Sequence, residues 1–271
     1  MNLTLTHTAD QLAELRAPQA RPAVEHLLDH QAGTVTIGRT ADGAPAVVPL
    51  WTEHGAVPLG IIGGPGAGAS GILDHLWAAE SASPVVSPWV AGLDQDLDHY
   101  LGPTLDRRAC TPDQTRDLLR AAVHIARNRA YPIARDRAAI LANWPRPVYQ
   151  PTAAEPLITL TLTTWELVRL DDDGMRHVEE LTLFGRRGGV ALRIAYRGHY
   201  LTTLGGNLHA TLSNSTLIAL RDAELGFALG PARATIPTAM PGTGYLIAPH
   251  RGTGPRGPVL FRSFAPHRAD A

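Results

Sequence analysis

Residues 63–70 read Gly63-Gly64-Pro65-Gly66-Ala67-Gly68-Ala69-Ser70, and this stretch decides the fold. An apolar run, Leu59-Gly60-Ile61-Ile62, precedes it and predicts a strand. A helix is predicted after it, from about Ser70 to Glu80. Strand, glycine-rich turn and helix make a phosphate loop when the turn reads G-x-x-x-x-G-K-[ST]. Gly63, Gly68 and Ser70 meet that pattern, and Ala69 stands where the lysine belongs. The glycines let the backbone curl so that its N–H groups face a phosphate at the positive end of the helix. The nucleotide-binding set expected on this basis is Gly63, Gly64, Gly66, Ala67, Gly68, Ala69, Ser70 and Gly71, with the Ser70 hydroxyl as the metal ligand for Mg²⁺. The missing ammonium would bridge β- and γ-phosphates during transfer, and a methyl group carries neither charge nor donor for that task. A second parse competes: Gly66-x-Gly68-x-x-Gly71 satisfies G-x-G-x-x-G, with Asp94 downstream as a ribose-binding acid. It predicts a dinucleotide-binding, Rossmann-type enzyme, but Gly63-Gly64-Pro65 intervene between strand and first glycine, which favours the longer loop.

Outward from the loop, the chain reads as alternating strands and helices. Strands are predicted at Pro84–Leu93, Leu157–Leu162, Val190–Ala195, Thr216–Leu220, Gly244–Ile247 and Val259–Phe264. Thr111-Pro112-Asp113-Gln114 is a good helix start, with a capping hydroxyl and a proline in the first turn. Pro132 is expected to bend or end that helix. Asp171-Asp172-Asp173-Gly174 reads as a turn before a helix to about Arg187. Towards the N-terminus, residues 8–30 read as one or two helices broken near Pro18 and Pro22. Thr34–Ile37 and Ala46–Leu50 flank a turn and predict a hairpin. The alternation implies an α/β fold with a mostly parallel central sheet flanked by helices. The expected division is a helical and hairpin extension over residues 1–44 and a phosphate-loop domain over 45–268.

Composition narrows the chemistry. The 271 residues suffice for a sizeable core, and the formal net charge of -1 offers no overall basic field for nucleic acid. All 24 cationic Lys+Arg residues are arginine, so no lysine of this chain can form a Schiff base or hold a phosphate. The single Cys110 excludes a disulfide framework and a cysteine-rich zinc site. No apolar run approaches the roughly 18 residues that cross a bilayer. The start, MNLTLTHTADQLAEL, lacks the features of a signal peptide, and a cytoplasmic protein without a membrane segment is expected.

With these pieces in order, the chain resembles the FtsK/SpoIIIE family of DNA-translocating ATPases, including conjugation ATPases of the TraB type. The stretch 63–70 resembles that family's phosphate loop. Trp89–Asp94, Leu105-Asp106-Arg107 and the Thr111-Pro112 helix are similar to its second strand and the segment after it. Gly185-Arg186-Arg187-Gly188-Gly189-Val190-Ala191-Leu192 resembles its "G-R-A-x-G-I-H-L", Leu204–Arg221 the stretch after its sensor strand, and Met240–Leu246 its "l-P-G-x-G-x-l". The likeness covers roughly residues 45–265. It implies a RecA-like P-loop NTPase fold, ATP and Mg²⁺ as cofactors, a homo-oligomeric or mixed ring, and double-stranded DNA as cargo.

The departures fall on the chemistry. The loop lysine is Ala69, and the family's Asp-Glu strand end is replaced by Thr163-Thr164-Trp165-Glu166. Glu166 is the candidate survivor of that pair as a catalytic residue. The sensor glutamine is replaced within Ala195-Tyr196-Arg197-Gly198-His199. Arg186 is the other catalytic candidate, as a residue that the resemblance implies reaches a neighbouring subunit's nucleotide. The expectation is a catalytically inactive, structural or regulatory pseudo-ATPase linked to DNA transfer or chromosome handling. The alternatives are a slowly hydrolysing ATPase, with Arg197 substituting for the lysine, and the dinucleotide enzyme. Three further features read as scaffold: His26 and His30, spaced to share a helix face; the acidic Asp94–Asp98 turn; and Cys110. Arg251, Arg256, Arg262 and Arg268 have the charge to meet DNA phosphates.

Overall fold

In chain order, the protein runs through a 3-10 turn at Val24–His26, then β1 (Leu28–Asp29), β2 (Thr34–Thr40), β3 (Pro45–Pro49), β4 (Trp51–Thr52), β5 (Gly55–Ala56) and β6 (Leu59–Ile62). Next come α1 (Ala69–Ser81), β7 (Val86–Ala91), β8 (Arg107–Ala109), α2 (Pro112–Arg135) and β9 (Leu157–Thr163). After these stand α3 (Asp172–Gly188), β10 (Val190–Tyr196), β11 (Thr216–Leu220), β12 (Thr243–Ile247) and β13 (Val259–Ser263). The computed structural model describes residues 13, 15–16, 19–92, 105–135, 149–163, 167, 169–196, 215–221, 240–247 and 258–265.

Among the described residues an 11-stranded sheet organises the fold, in the order β1-β2-β13-β12-β11-β6-β10-β9-β7-β8, with β3 also paired to β2, and β4 and β5 form a separate two-stranded sheet. Six neighbours, β11, β6, β10, β9, β7 and β8, are parallel. The others add an antiparallel extension through β11–β12, β12–β13 and β13–β2. The hairpin β2–β3 spans the boundary expected at residue 44, and β2 reaches the main sheet by pairing Phe261 with Thr40. The crossover from β6 through α1 to β7 passes over two strands, β10 and β9. In a dinucleotide fold the first crossover joins adjacent strands, so this order overturns the dinucleotide reading.

Period-two alternation in the parallel strands divides the core between the sheet's two faces. Ile158, Leu160 and Leu162 of β9, with Leu192 and Ile194 of β10, face α2 and α3 through Leu119, Ala122, Ala126, Val178 and Leu181. The opposite parity faces α1: Thr159 donates to Glu80 Oε2 at 2.7 Å, and Trp77 Nε1 donates to Thr161 Oγ1 at 3.2 Å. Arg193 of β10 joins this layer by donating to both carboxylate oxygens of Glu80, and both side chains are fully buried.

Helices α2 and α3 cross closely because α3 ends in small residues. A Cβ at Gly188 would lie 2.2 Å from the Ala126 carbonyl oxygen of α2, while one at Gly185 would lie 2.6 Å from the carbonyl oxygen of Val190, where the chain turns into β10. Ion pairs span their outer surface, Arg116 with Asp171 at 2.9 Å and Arg127 with Glu180 at 2.9 Å.

Three local expectations are corrected. The acidic run is a helix start, with the Asp171 side chain accepting from the Gly174 N–H at 2.8 Å. An acidic N-cap and first turn suit the positive helix end. Helix α2 does not end at Pro132, one of the two outcomes expected there, but continues to Arg135. Residues 24–30 form a 3-10 turn and a short strand, so His26 and His30 share no α-helical face.

Candidate functional site

At the C-terminal edge of the parallel strands, β6 ends in Ile62 and the chain turns through residues 63–68 into α1. Gly66 and Gly68 hold left-handed backbones, φ +69° and +100°. A side chain at Gly68 would be excluded twice, by that φ and by Gly242 N, which lies 2.3 Å from the position of a Cβ. The Ala67 N–H closes back on the Gly64 carbonyl at 3.1 Å, and the Ala67 carbonyl accepts from Gly242 N at 2.8 Å. Ile72 is bonded to the Gly68 carbonyl at 3.2 Å, which opens the helical ladder. The amides ahead of it are the donors that a helix start leaves without intrahelical acceptors. Ala67 is buried, Ala69 half-buried and Ser70 exposed at the first turn. The strand, turn and helix predicted from 59–81 are therefore present, and the turn is anchored from β12's leading turn as well as from its own ends.

Register places the neighbours of this loop. Ala195 pairs with both Ile61 and Thr163, so the end of β9 stands level with the end of β6, two strands away. Thr163 shares the parity of Thr159 and Thr161 and so faces the α1 side. Its buried hydroxyl has no hydrogen-bond partner among the described residues. Glu166, Arg197 and Asp94 lie outside the described residues, as do Arg251, Arg256 and Arg268. Arg262 is described, and its Nη1 donates to the Leu15 carbonyl at 2.7 Å, holding the N-terminal segment.

On the other side of the loop stands Arg221, which sequence reasoning had assigned no role. Strand β11 pairs in parallel with β6, Ala219 opposite Ile62, so Arg221 emerges beside the turn. Its carbonyl accepts from Gly64 N at 2.9 Å, and its Nη2 donates to the Pro65 carbonyl at 3.2 Å. A Cβ on Gly66 would sit 3.6 Å from that same Nη2. The guanidinium thus lies against the loop whose own cation position is Ala69. The missed signal is a pairing between distant segments, which no local spacing encodes.

The loop backbone and Arg221 fit a phosphate group: amides, a helix start and a cation converge there. The described oxygens at the metal position fit magnesium poorly. Ser70 and Thr163 offer neutral hydroxyls, whereas Mg²⁺ sites are built on carboxylates with phosphate and water.

Arg186 stands elsewhere. It closes α3 at the opposite edge of the sheet, where Val190 begins β10, and its Nε donates to the His54 carbonyl at 3.0 Å. From Val190 to the level of Ile62 is six residues of strand, about 20 Å. Arg186 therefore does not meet its own chain's loop. Cys110 is exposed and its N–H donates to Gln114 Oε1 at 2.8 Å. Between α2 and α3 a groove of about 420 Å³ carries Arg120, Arg127, Arg176 and His177, but Arg127 already pairs Glu180 and Arg176 pairs Asp173. Among the described residues no helix is long and apolar enough to cross a membrane.

No family model matches this chain, and no curated protein matches it. Solved structures do. The cytoplasmic domain of the type VII secretion ATPase EccC from Thermomonospora curvata superposes with a TM-score of 0.68 at 16% identity, covering 90% of this chain and 28% of that one. EssC (ATPases 2 and 3) from Geobacillus thermodenitrificans gives 0.64 at 15%, covering 94% and 48%. The pCW3 conjugation coupling protein TcpA gives 0.65 at 15%, covering 93% and 71%. The chain thus spans less than half of the EccC and EssC chains it matches. At this identity the likeness is one of fold: a RecA-like α/β arrangement with a mostly parallel central sheet, as the sequence predicts.

Proposed function

We propose that this chain is a translocase-type P-loop subunit that has lost ATP hydrolysis and works beside an intact ATPase of the same clade. The observation that carries this reading is a phosphate loop that kept its turn while losing its chemistry. Gly66 and Gly68 hold the curl, Ala69 takes the lysine's place, and Thr163 ends the strand where the resemblance implies an aspartate. The lost ammonium and carboxylate are the groups that follow developing charge and hold the metal in phosphoryl transfer.

On this reading the partner is an active subunit in a mixed ring, and the process is movement of DNA or protein, the work of secretion and conjugation ATPases. Arg186, about 20 Å from its own loop, is then available to a neighbour's nucleotide, with the His54 carbonyl orienting its guanidinium. Double-stranded DNA is the cargo implied by the FtsK/SpoIIIE likeness, and protein the one implied by the secretion ATPases.

The test is phosphate release by the purified chain with ATP and magnesium. No turnover above a protein-free blank is expected. Magnesium-dependent hydrolysis at the rate of an ordinary ATPase would refute the proposal.

A further inference from the structure

We infer that Arg221 is the cation of this loop and that it contacts the phosphates of a nucleoside di- or triphosphate in place of the absent lysine. The inference rests on the reading of residues 63–70 as a surviving phosphate cradle, and it goes beyond that reading by assigning the residue that charges it.

The loop's own sequence supplies no charge. Position 69 is alanine, and the chain holds no lysine that could stand in for it. A cradle of amides alone offers only partial charges against a di- or triphosphate. Arg221 answers that deficit through topology. It directly follows β11, and β11 pairs in parallel with the strand that feeds the loop. The backbone there is fixed by the bond from Gly64 N to the Arg221 carbonyl. The side chain turns back over the loop, with Nη2 on the Pro65 carbonyl at 3.2 Å and within van der Waals reach of the position of a Cβ on Gly66. A guanidinium carries five donors in a planar fork that matches the oxygens of a phosphate, and this one lies against the loop. Leu220, the residue before it, packs on the position of a Cβ at Gly63, at 2.9 Å, and so ties the strand end to the loop's first residue.

The experiment measures direct binding of ADP and ATP by calorimetry to the full chain and to Arg221→Gln, Ala69→Lys and the double variant. Wild-type binding is expected, with Arg221→Gln weakened at least tenfold, the range of a charged hydrogen bond. Ala69→Lys in the Arg221→Gln background is expected to restore most of the loss, because it returns a cation to a loop of unchanged shape. Equal binding by wild type and Arg221→Gln would overturn the inference. So would a loss that Ala69→Lys fails to restore, since Arg221 would then be a brace acting through Pro65. Absence of wild-type binding would overturn it as well, and would leave the non-hydrolysing reading standing, because that reading is decided by phosphate release.

Discussion

The carboxylate of Glu80 is a charge held in the fully buried interior of the described residues. It lies in the last turn of α1, fully buried, and accepts from Arg193 Nη1 at 3.4 Å, from Arg193 Nη2 and from Thr159 Oγ1 at 2.7 Å. The helix that starts at the phosphate loop is thereby pinned at its far end to β9 and β10. Glu80→Gln keeps the shape and removes the charge, which leaves a buried guanidinium without its counter-ion. Breaking such a pair from one side costs about 3–5 kcal/mol. For a domain of this size that is a fall in Tm of roughly 6–20 °C. Arg193→Met alone should cost a similar amount, since it strands the carboxylate. The double variant Glu80→Leu/Arg193→Met should lie close to the parent or above it, because apolar replacement of a whole buried pair removes both desolvation costs. Urea and thermal unfolding at pH 7 of the parent, Glu80→Leu, Arg193→Met and their double variant complete the cycle, with Glu80→Gln measured beside them. Single losses under about 1 kcal/mol, or singles that simply add in the double variant, would refute the reasoning.

Gly188→Ala forces a methyl against the Ala126 backbone, 2.2 Å from its carbonyl oxygen, and should cost about 1–3 kcal/mol in urea unfolding as α2 and α3 separate. Gly68→Ala meets Gly242 N at 2.3 Å with φ already at +100°, and should destabilise the protein by at least about 2 kcal/mol while exposing the loop to limited proteolysis. Burial holds the His177 ring's pKa below its ordinary 6.5, outweighing Glu180, with Arg120, Arg176 and Arg127 acting in the same direction. Its stabilising contribution is complete above pH 6.5 and is lost as pH falls through the lower folded value, so His177→Phe should flatten the stability profile between about pH 5 and 6.5. The Tyr149 phenol donates to the Glu155 carbonyl and is pushed up to about 12 by burial, against the pull of Arg129. Its contribution holds below pH 10 and fades as pH rises through 12, so absorbance at the phenolate band should show one tyrosine titrating late.

How far the sequence could be read depended on the range of the contacts involved. Strand β6, its turn and α1 follow from local spacing alone, and they fall where residues 59–81 predict them. Leu157–Thr163 and Val190–Tyr196 were legible because a strand buried on both faces reads as a continuous apolar run. Misreadings arose where two local meanings share one composition. Asp171-Asp172-Asp173-Gly174 suits a turn and equally a helix N-terminus, and the bond from Gly174 N to Asp171 decides it. The antiparallel half of the sheet was hidden, since β2 meets β13 across more than 200 residues of chain. Arg221 was hidden for the same reason. The glycines at 185 and 188 stand in a motif legible in the sequence, but what explains them is long-range or chain-reversing contact: Gly188 meets Ala126 of α2 and Gly185 meets Val190 at the start of β10.

The two arginines proposed to meet nucleotide stand at different places in the fold, and the geometry separates them. Arg221 lies against its own loop, whereas Arg186 lies at the other edge of the sheet, about 20 Å away. One chain cannot bring both to one phosphate. If Arg186 acts at all, it acts on a neighbour, and its removal must spare the chain's own binding. Arg186→Ala should leave the nucleotide affinity of the isolated chain within experimental error. Added to an intact translocase-type ATPase, the parent chain should raise turnover, and Arg186→Ala should forfeit that gain by on the order of tenfold or more, as trans arginines do. Equal stimulation by parent and variant would remove Arg186 from the chemistry and return it to the plainer role of a cation at a helix C-terminus, where the last carbonyls of α3 already favour one.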